Sequence, residues 1–154
     1  MSEQFTSALG FDFGLRRIGL AYGQTITQTA QPLDPISARD GVPDWTLIDK
    51  VIAEWQPDVI VIGLPLNMDG SISDMARRAR KFANRLHERS KIPCFLHDER
   101  LTSFEAKEIH VARGGGRDFG AESVDGLAAQ LMLEAWFEQD KLIPSHTRLE
   151  ELYD

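Results

Sequence analysis

The chain has 154 residues, 42% hydrophobic and 27% charged, with a formal net charge of −7. That suits one globular domain and excludes a disordered chain. No apolar run nears the roughly 20 residues of a spanning helix, and the single cysteine, Cys94, excludes an intramolecular disulfide or a multi-cysteine zinc site.

The first third reads as three strands. "ALGFDF" alternates, "RRIGLAYG" follows after a short Gly14-Leu15 turn, and "TITQTAQPL" is Thr-rich and extended. Turns this short make neighbours antiparallel. From Asp44, a candidate N-cap, the period changes: Trp45, Ile48, Ile52 and Trp55 recur at helical steps to about Gln56. "PDVIVIGLP" is a continuous apolar run, as in a strand covered on both faces.

"NMDGSIS" is a loop, and after it Met75, Ala79, Phe82 and Leu86 form one face of a long helix. Arg78, Lys81, Arg85 and Arg89 form a second stripe on the same helix. "IPCFLHDE" is the next strand, and "TSFE" has capping-box form at the start of a further helix. "RGGGRDFG" is a glycine-rich loop. A final helix turns Val124, Ala128, Leu131 and Ala135 towards the core.

The order β-β-β-α-β-α-β-α-α predicts an α/β fold: a mixed five-stranded sheet, three antiparallel strands then parallel ones, with helices on both faces. One domain is expected over residues 1–140. An acidic, poorly ordered tail is expected over 141–154, where periodicity fades. "MSEQFTSALG" lacks a basic region followed by an apolar stretch, so a cytoplasmic location is expected.

Net acidity alone argues against a nucleic-acid partner. Its distribution weakens that reading: residues 77–91 hold seven bases and one acid, whereas residues 138–154 hold five acids and two bases. The basic stripe either tracks a nucleic-acid backbone or is a solvated helix face.

Three acids stand out. Asp12 is mid-strand, Glu99 ends a strand, and Asp125 lies near the start of the last helix. A buried carboxylate costs several kcal/mol unless paired. One reading brings the three around Mg²⁺, which takes oxygen ligands; two such ions support phosphodiester hydrolysis with no His or Cys nucleophile. The other reading is structural. Asp12 pairs with Arg16 or Arg17 across the turn, Asp98 and Glu99 are exposed at a strand end, and Asp125 favours a helix dipole. Strand alternation sets His97 and Glu99 on one face and Asp98 on the other. The residues alone leave both readings open.

"GFDFGLRRIGLA", "VIVIGLPLNMDGS" with "ARRARKFANRL", "DERLTSFEA" and "VDGLAAQLML" resemble, in order, the blocks of the YqgF (RuvX-like) family. The resemblance spans roughly residues 8 to 137. It implies a ribonuclease H-like fold and a metal-dependent nuclease with Asp12, Glu99 and Asp125 as its catalytic and metal-binding carboxylates, using Mg²⁺ or Mn²⁺. It also implies a role in 5′-end processing of the 16S ribosomal RNA precursor or, by kinship with resolvases, action on four-way DNA junctions. Gly126 departs from the family pattern, and a helical glycine costs up to about 1 kcal/mol relative to alanine.

In that frame Arg16, Arg17 and Arg100 are candidate phosphate contacts; surface ion pairs are the alternative. Asn67 either orients substrate or makes a turn. Arg113, with Arg117, either closes over substrate or belongs to a linker. His97 and His110 either assist proton transfer or are structural, the second being the reading taken, and Cys94 is read as core. Trp45 and Trp55 are read as packing residues away from any basic cluster. Expected partners are nucleic acid and ribosomal particles, with no membrane, for a monomer or homodimer. A competing class is a non-catalytic nucleic-acid-binding factor on the same fold. A third, the phosphate-binding hairpin of actin-like ATPases and sugar kinases, needs a duplicated unit that this chain lacks.

Overall fold

Alternation decides the first strand of the computed structural model, which describes residues 5–101, 121–139 and 141–153, with only the backbone described over 121–125. In β1 (Ser7–Asp12), Leu9 and Phe11 point to one face of the sheet and Ala8 to the other, all fully buried. A tight turn returns the chain as β2 (Arg17–Gln24), antiparallel to β1 with Asp12 opposite Gly19. β3 (Thr29–Arg39) pairs antiparallel with β2 through an irregularity at Ile18/Leu20. The third strand thus begins at Thr29, because residues 25–28 form the turn.

The sheet has six strands rather than the five expected. The extra one is β4 (Val42–Pro43), a two-residue return of β3. Asp40 and Gly41 make the connection with φ of +50° and +81°, the backbone of a two-residue hairpin loop.

Helix α1 (Trp45–Trp55) starts where the Asp44 side chain accepts the Thr46 N–H, and it ends at Gln56 in the left-handed region. It leads into β5 (Val59–Leu64), parallel to β1 and buried along its whole length. Helix α2 (Asp74–Ser90) is capped by Ser73, whose hydroxyl also donates to the Pro65 carbonyl. β6 (Cys94–Asp98) runs parallel to β5, giving the order β4-β3-β2-β1-β5-β6. A single 3₁₀ turn, Glu99–Leu101, follows.

The core has two layers. Leu9, Phe11, Ile62 and Leu96 meet Ala79, Phe82 and Leu86 of α2 on one face. Val61 and Phe95 meet helix α3 (Ala121–Phe137) on the other, through Ala129, Met132, Leu133 and Trp136. Each such Leu or Phe contributes about 1.5–3 kcal/mol by leaving water.

The buried stripe of α3 differs from the one expected. Gly126, Ala129, Leu133 and Trp136 are buried, whereas Ala128, Leu131 and Ala135 are half-buried. Gly126 gives the reason: a Cβ there would stand 2.9 Å from Pro32 Cβ and 3.3 Å from the Leu33 carbonyl of β3. The departure from the family pattern is therefore a close helix-to-sheet approach. Gly126→Ala is expected to lower the melting temperature by a few degrees. Overpacking costs about 1–3 kcal/mol, which outweighs the gain in helix propensity of up to about 1 kcal/mol. Thermal denaturation decides; an unchanged or higher Tm would mean that Pro32 yields.

The tail, expected to be poorly ordered, instead packs on the sheet over its described residues. Leu96 donates its N–H to the Ile143 carbonyl at 2.7 Å and Ser145 to that of Cys94 at 2.9 Å, so the segment covers the outer edge of β6. Helix α4 (Leu149–Leu152) buries Leu149 in the first layer. These contacts have no helical period, so the sequence pattern concealed them. No helix among the described residues is long and apolar enough to cross a membrane.

Candidate active site

A glycine interrupts the apolar run of β5, "VIVIGL". A Cβ on Gly63 would stand 2.5 Å from Glu99 Oε1, 3.0 Å from its Cγ and 3.1 Å from its Cδ. The Glu99 side chain therefore lies directly over the Gly63 backbone, in space that no other residue type leaves open. Gly63 pairs with His97 of β6 on one side. On the other side Phe11 pairs with Ile62, so the next step of that register sets Asp12 beside Gly63.

Asp12 shares the face taken by Glu99. Gly10 faces Leu133 and Met132 of α3, and two residues on a strand return to the same face. Neighbouring strands lie about 4.8 Å apart. Glu99 drawn over β5 is thus one strand spacing from Asp12 on β1, and both residues are half-buried. Two anionic groups so close disfavour each other's charge unless a cation intervenes.

Asp125 belongs to α3, the residue before Gly126, but its side chain lies outside the described residues. No group of three His, Cys, Asp or Glu residues that could hold a metal occurs among the described ones.

His97 is on this face but beneath the surface. It is 2% exposed, and burial pushes its pKa down to about 4 against the opposing pull of Asp98. The ring is neutral at pH 7, in keeping with the structural role expected. Cys94 is core as expected, with burial pushing its thiol up to about 12.

On the opposite side of Glu99 the sequence reading missed a clamp. Asp98 is 4% exposed. It accepts the Arg100 backbone N–H at 2.9 Å and, through both oxygens, the guanidinium at 2.7 to 3.2 Å. This ion pair, with the hydrogen bond to Asp98 leading, raises the Arg100 pKa. Arg100 also lies over the loop between β5 and α2: a Cβ on Gly70, whose φ is +90°, would stand 2.8 Å from Arg100 Nη1.

Arg16 and Arg17 are exposed beside the β1–β2 turn, Arg17 opening β2 opposite Ser37. Asn67 donates its side-chain amide to the Ser71 hydroxyl at 2.9 Å, and its carbonyl accepts the Gly70 N–H at 2.8 Å. Its described contacts are those of a turn. Arg113, Arg117, His110 and the capping-box segment at 102–105 lie outside the described residues.

The basic stripe of α2 is partly structural. Arg78 reaches Asp40 at the β3–β4 turn, and Arg89 makes a two-armed pair with Asp49 at 2.8 Å. Arg89 also lies 5.4 Å from the centre of the Trp45 ring. Trp45 is thus beside a basic cluster after all, because α1 and α2 pack side by side. Trp55 packs on Tyr22.

A family profile described as "RuvX: Holliday junction resolvase" matches residues 6–139. Among similar proteins is one from Pseudomonas putida named "Putative pre-16S rRNA nuclease". It is 54% identical over 131 residues, covering 84% of this chain and 93% of that protein. One of the same name from Marinobacter nauticus is 55% identical over 128 residues, with 83% and 90% covered. The fold is similar to that of T. thermophilus RuvC solved with a Holliday junction substrate, with a TM-score of 0.58 at 12% identity over 90% of this chain and 99% of that one. The sheet is therefore ribonuclease H-like, and the chain belongs to the RuvX family.

Proposed function

We propose that this chain is a divalent-metal-dependent nuclease. The observation that carries the reading is the Glu99 carboxylate drawn over Gly63 towards Asp12. These two positions offer carboxylate oxygens, which suit Mg²⁺ or Mn²⁺ and not a thiolate-seeking metal. Asp12, Glu99 and Asp125 would hold the ions. Asp125 stands one helical turn before Ala129, which is buried against the sheet. When bound, the cations supply positive charge to the attacking and leaving oxygens of phosphodiester hydrolysis, as in two-metal sites.

The chain's own residues set the stage. The sheet carries Asp12 at the end of β1 and Glu99 just after β6, with Gly63 of β5 between them, and His97, buried beneath them, is read as structural. Arg16 and Arg17, exposed beside the β1–β2 turn, are proposed to bind phosphates flanking the scissile bond. Arg113 is proposed to join them from the glycine-rich segment, and Asn67 to face substrate from the β5–α2 loop.

The substrate we favour is the 16S ribosomal RNA precursor, because relatives above 50% identity over most of both chains carry that name. Such work belongs to the cytoplasm, on precursor RNA or on ribosomal particles. The second reading is a four-way DNA junction, favoured by the likeness to the RuvC complex. Labelled precursor leader RNA and a synthetic junction, each incubated with Mg²⁺, Mn²⁺ or chelator, separate the two. Metal-dependent cutting of the RNA alone is expected. Cutting of the junction alone would move the assignment to a resolvase. Binding without cutting of either would indicate a non-catalytic factor.

A further inference from the structure

The family match ends at residue 139, yet the C-terminal segment beyond it reaches the turn that carries Glu99. It is tied down along its length. Arg80 donates to the carbonyls of Thr147 and His146 at 2.6 and 2.7 Å, and Arg77 pairs with Glu150 at 2.7 Å. Helix α4 ends at Tyr153, whose ring centre is 6.0 Å from the Arg100 guanidinium carbon.

Arg100 is therefore bounded on three sides: by the Asp98 carboxylate that binds it, by the loop at Gly70 and by the Tyr153 ring. Asp98 and Arg100 flank Glu99 in the chain. When they close on each other, the backbone of Glu99 is fixed on both sides. Even with these neighbours in place the Arg100 side chain stays one-third exposed, so the ion pair borders water and is open to exchange with it. An aromatic face over the cation restricts that exchange.

We propose that Tyr153 is a positioning residue: by packing on Arg100 it keeps the Asp98–Arg100 clamp closed, and so holds the Glu99 carboxylate over Gly63. The clamp is a structural claim in itself; its consequence for activity rests on the nuclease reading of Glu99. Arg100 becomes a strut of the site, and the segment after residue 140 becomes part of the site's machinery.

Only the ring is needed, so Tyr153→Phe should behave as wild type and Tyr153→Leu should not. In the full chain, hydrogen exchange of the Arg100 Nε–H, followed by NMR, is expected to quicken about three- to tenfold in Y153L and to stay unchanged in Y153F. Unchanged exchange in Y153L would overturn the proposal. In parallel, Mn²⁺ titration followed by electron paramagnetic resonance should show weaker binding in Y153L by a similar factor. Cleavage should lose kcat with KM for RNA unmoved. A uniform loss explained by a lowered Tm, or a loss shared by Y153F, would also overturn it. A wild type that neither binds Mn²⁺ nor cuts would overturn the nuclease reading instead, and the exchange measurement would still decide the clamp.

Discussion

Gly63→Ala is expected to leave the protein folded and to reduce metal-dependent cleavage about a hundredfold. The added methyl would stand 2.5 Å from Glu99 Oε1 and about 3 Å from the carbons behind it. The three nearest atoms all belong to Glu99, near the end of a flexible side chain, and none to backbone. Glu99 yields by swinging away, so the sheet need not move. Alanine also lowers the entropy of the unfolded chain, which stabilises by about 0.4–1 kcal/mol where the native backbone accepts it. Gly63 is not among the residues of positive φ, so its backbone does accept it. Activity is another matter, since a displacement of about 1 Å in a catalytic group costs on the order of 10²-fold. Thermal melts beside cleavage rates decide. An alanine variant with wild-type activity would mean that Glu99 works equally well elsewhere, and the site would have to be redrawn. A variant that fails to fold would mean that Glu99 cannot yield.

Asp12→Asn should remove cleavage by about 10²–10³-fold or more, the scale of losing one group that stabilises transition-state charge. Its distinguishing effect is on metal-linked stability. An ion that binds only the folded chain stabilises it by RT ln(1 + [L]/Kd), about 1.4 kcal/mol at tenfold excess over Kd. Wild type should therefore melt higher with Mg²⁺ or Mn²⁺ than with chelator, by about 2–4 °C for each kcal/mol. The Asn variant should lose most of that difference. A variant stabilised by metal as fully as wild type would remove Asp12 from the metal site. The test needs no knowledge of the natural substrate.

The sequence made much of this legible. A side-chain period of two is a local property of an extended backbone, so "GFDF" was enough to set Asp12 opposite Phe11, and "FLHDE" to set Glu99 opposite Asp98. The helical periods of α1 and α2 were equally plain, and Ala79, Phe82 and Leu86 are buried as that period requires. The β3–β4 hairpin had its signal too, in Asp40-Gly41. With only two residues beyond it, β4 lacks the alternation by which strands are recognised. Helix α3 misled because an even scatter of Ala and Leu gives it little amphipathic contrast. Which of its faces is buried was decided by the closeness of Gly126 to Pro32, a contact across more than ninety residues of chain.

What the sequence determined by itself is the succession of β1, β2, β3, α1, β5, α2 and β6 and the face of the sheet on which Asp12 and Glu99 each sit, because both follow from φ and ψ repeated along a short stretch. What only the tertiary structure decided is how those faces meet. The register of β1, β5 and β6 puts Gly63 between the two acids, Asp98 claims Arg100, and the C-terminal segment brings Tyr153 onto that arginine. Such contacts join residues far apart in the chain, through strand register and helix docking. Their energies belong to pairs, and no local pattern in either partner records the other.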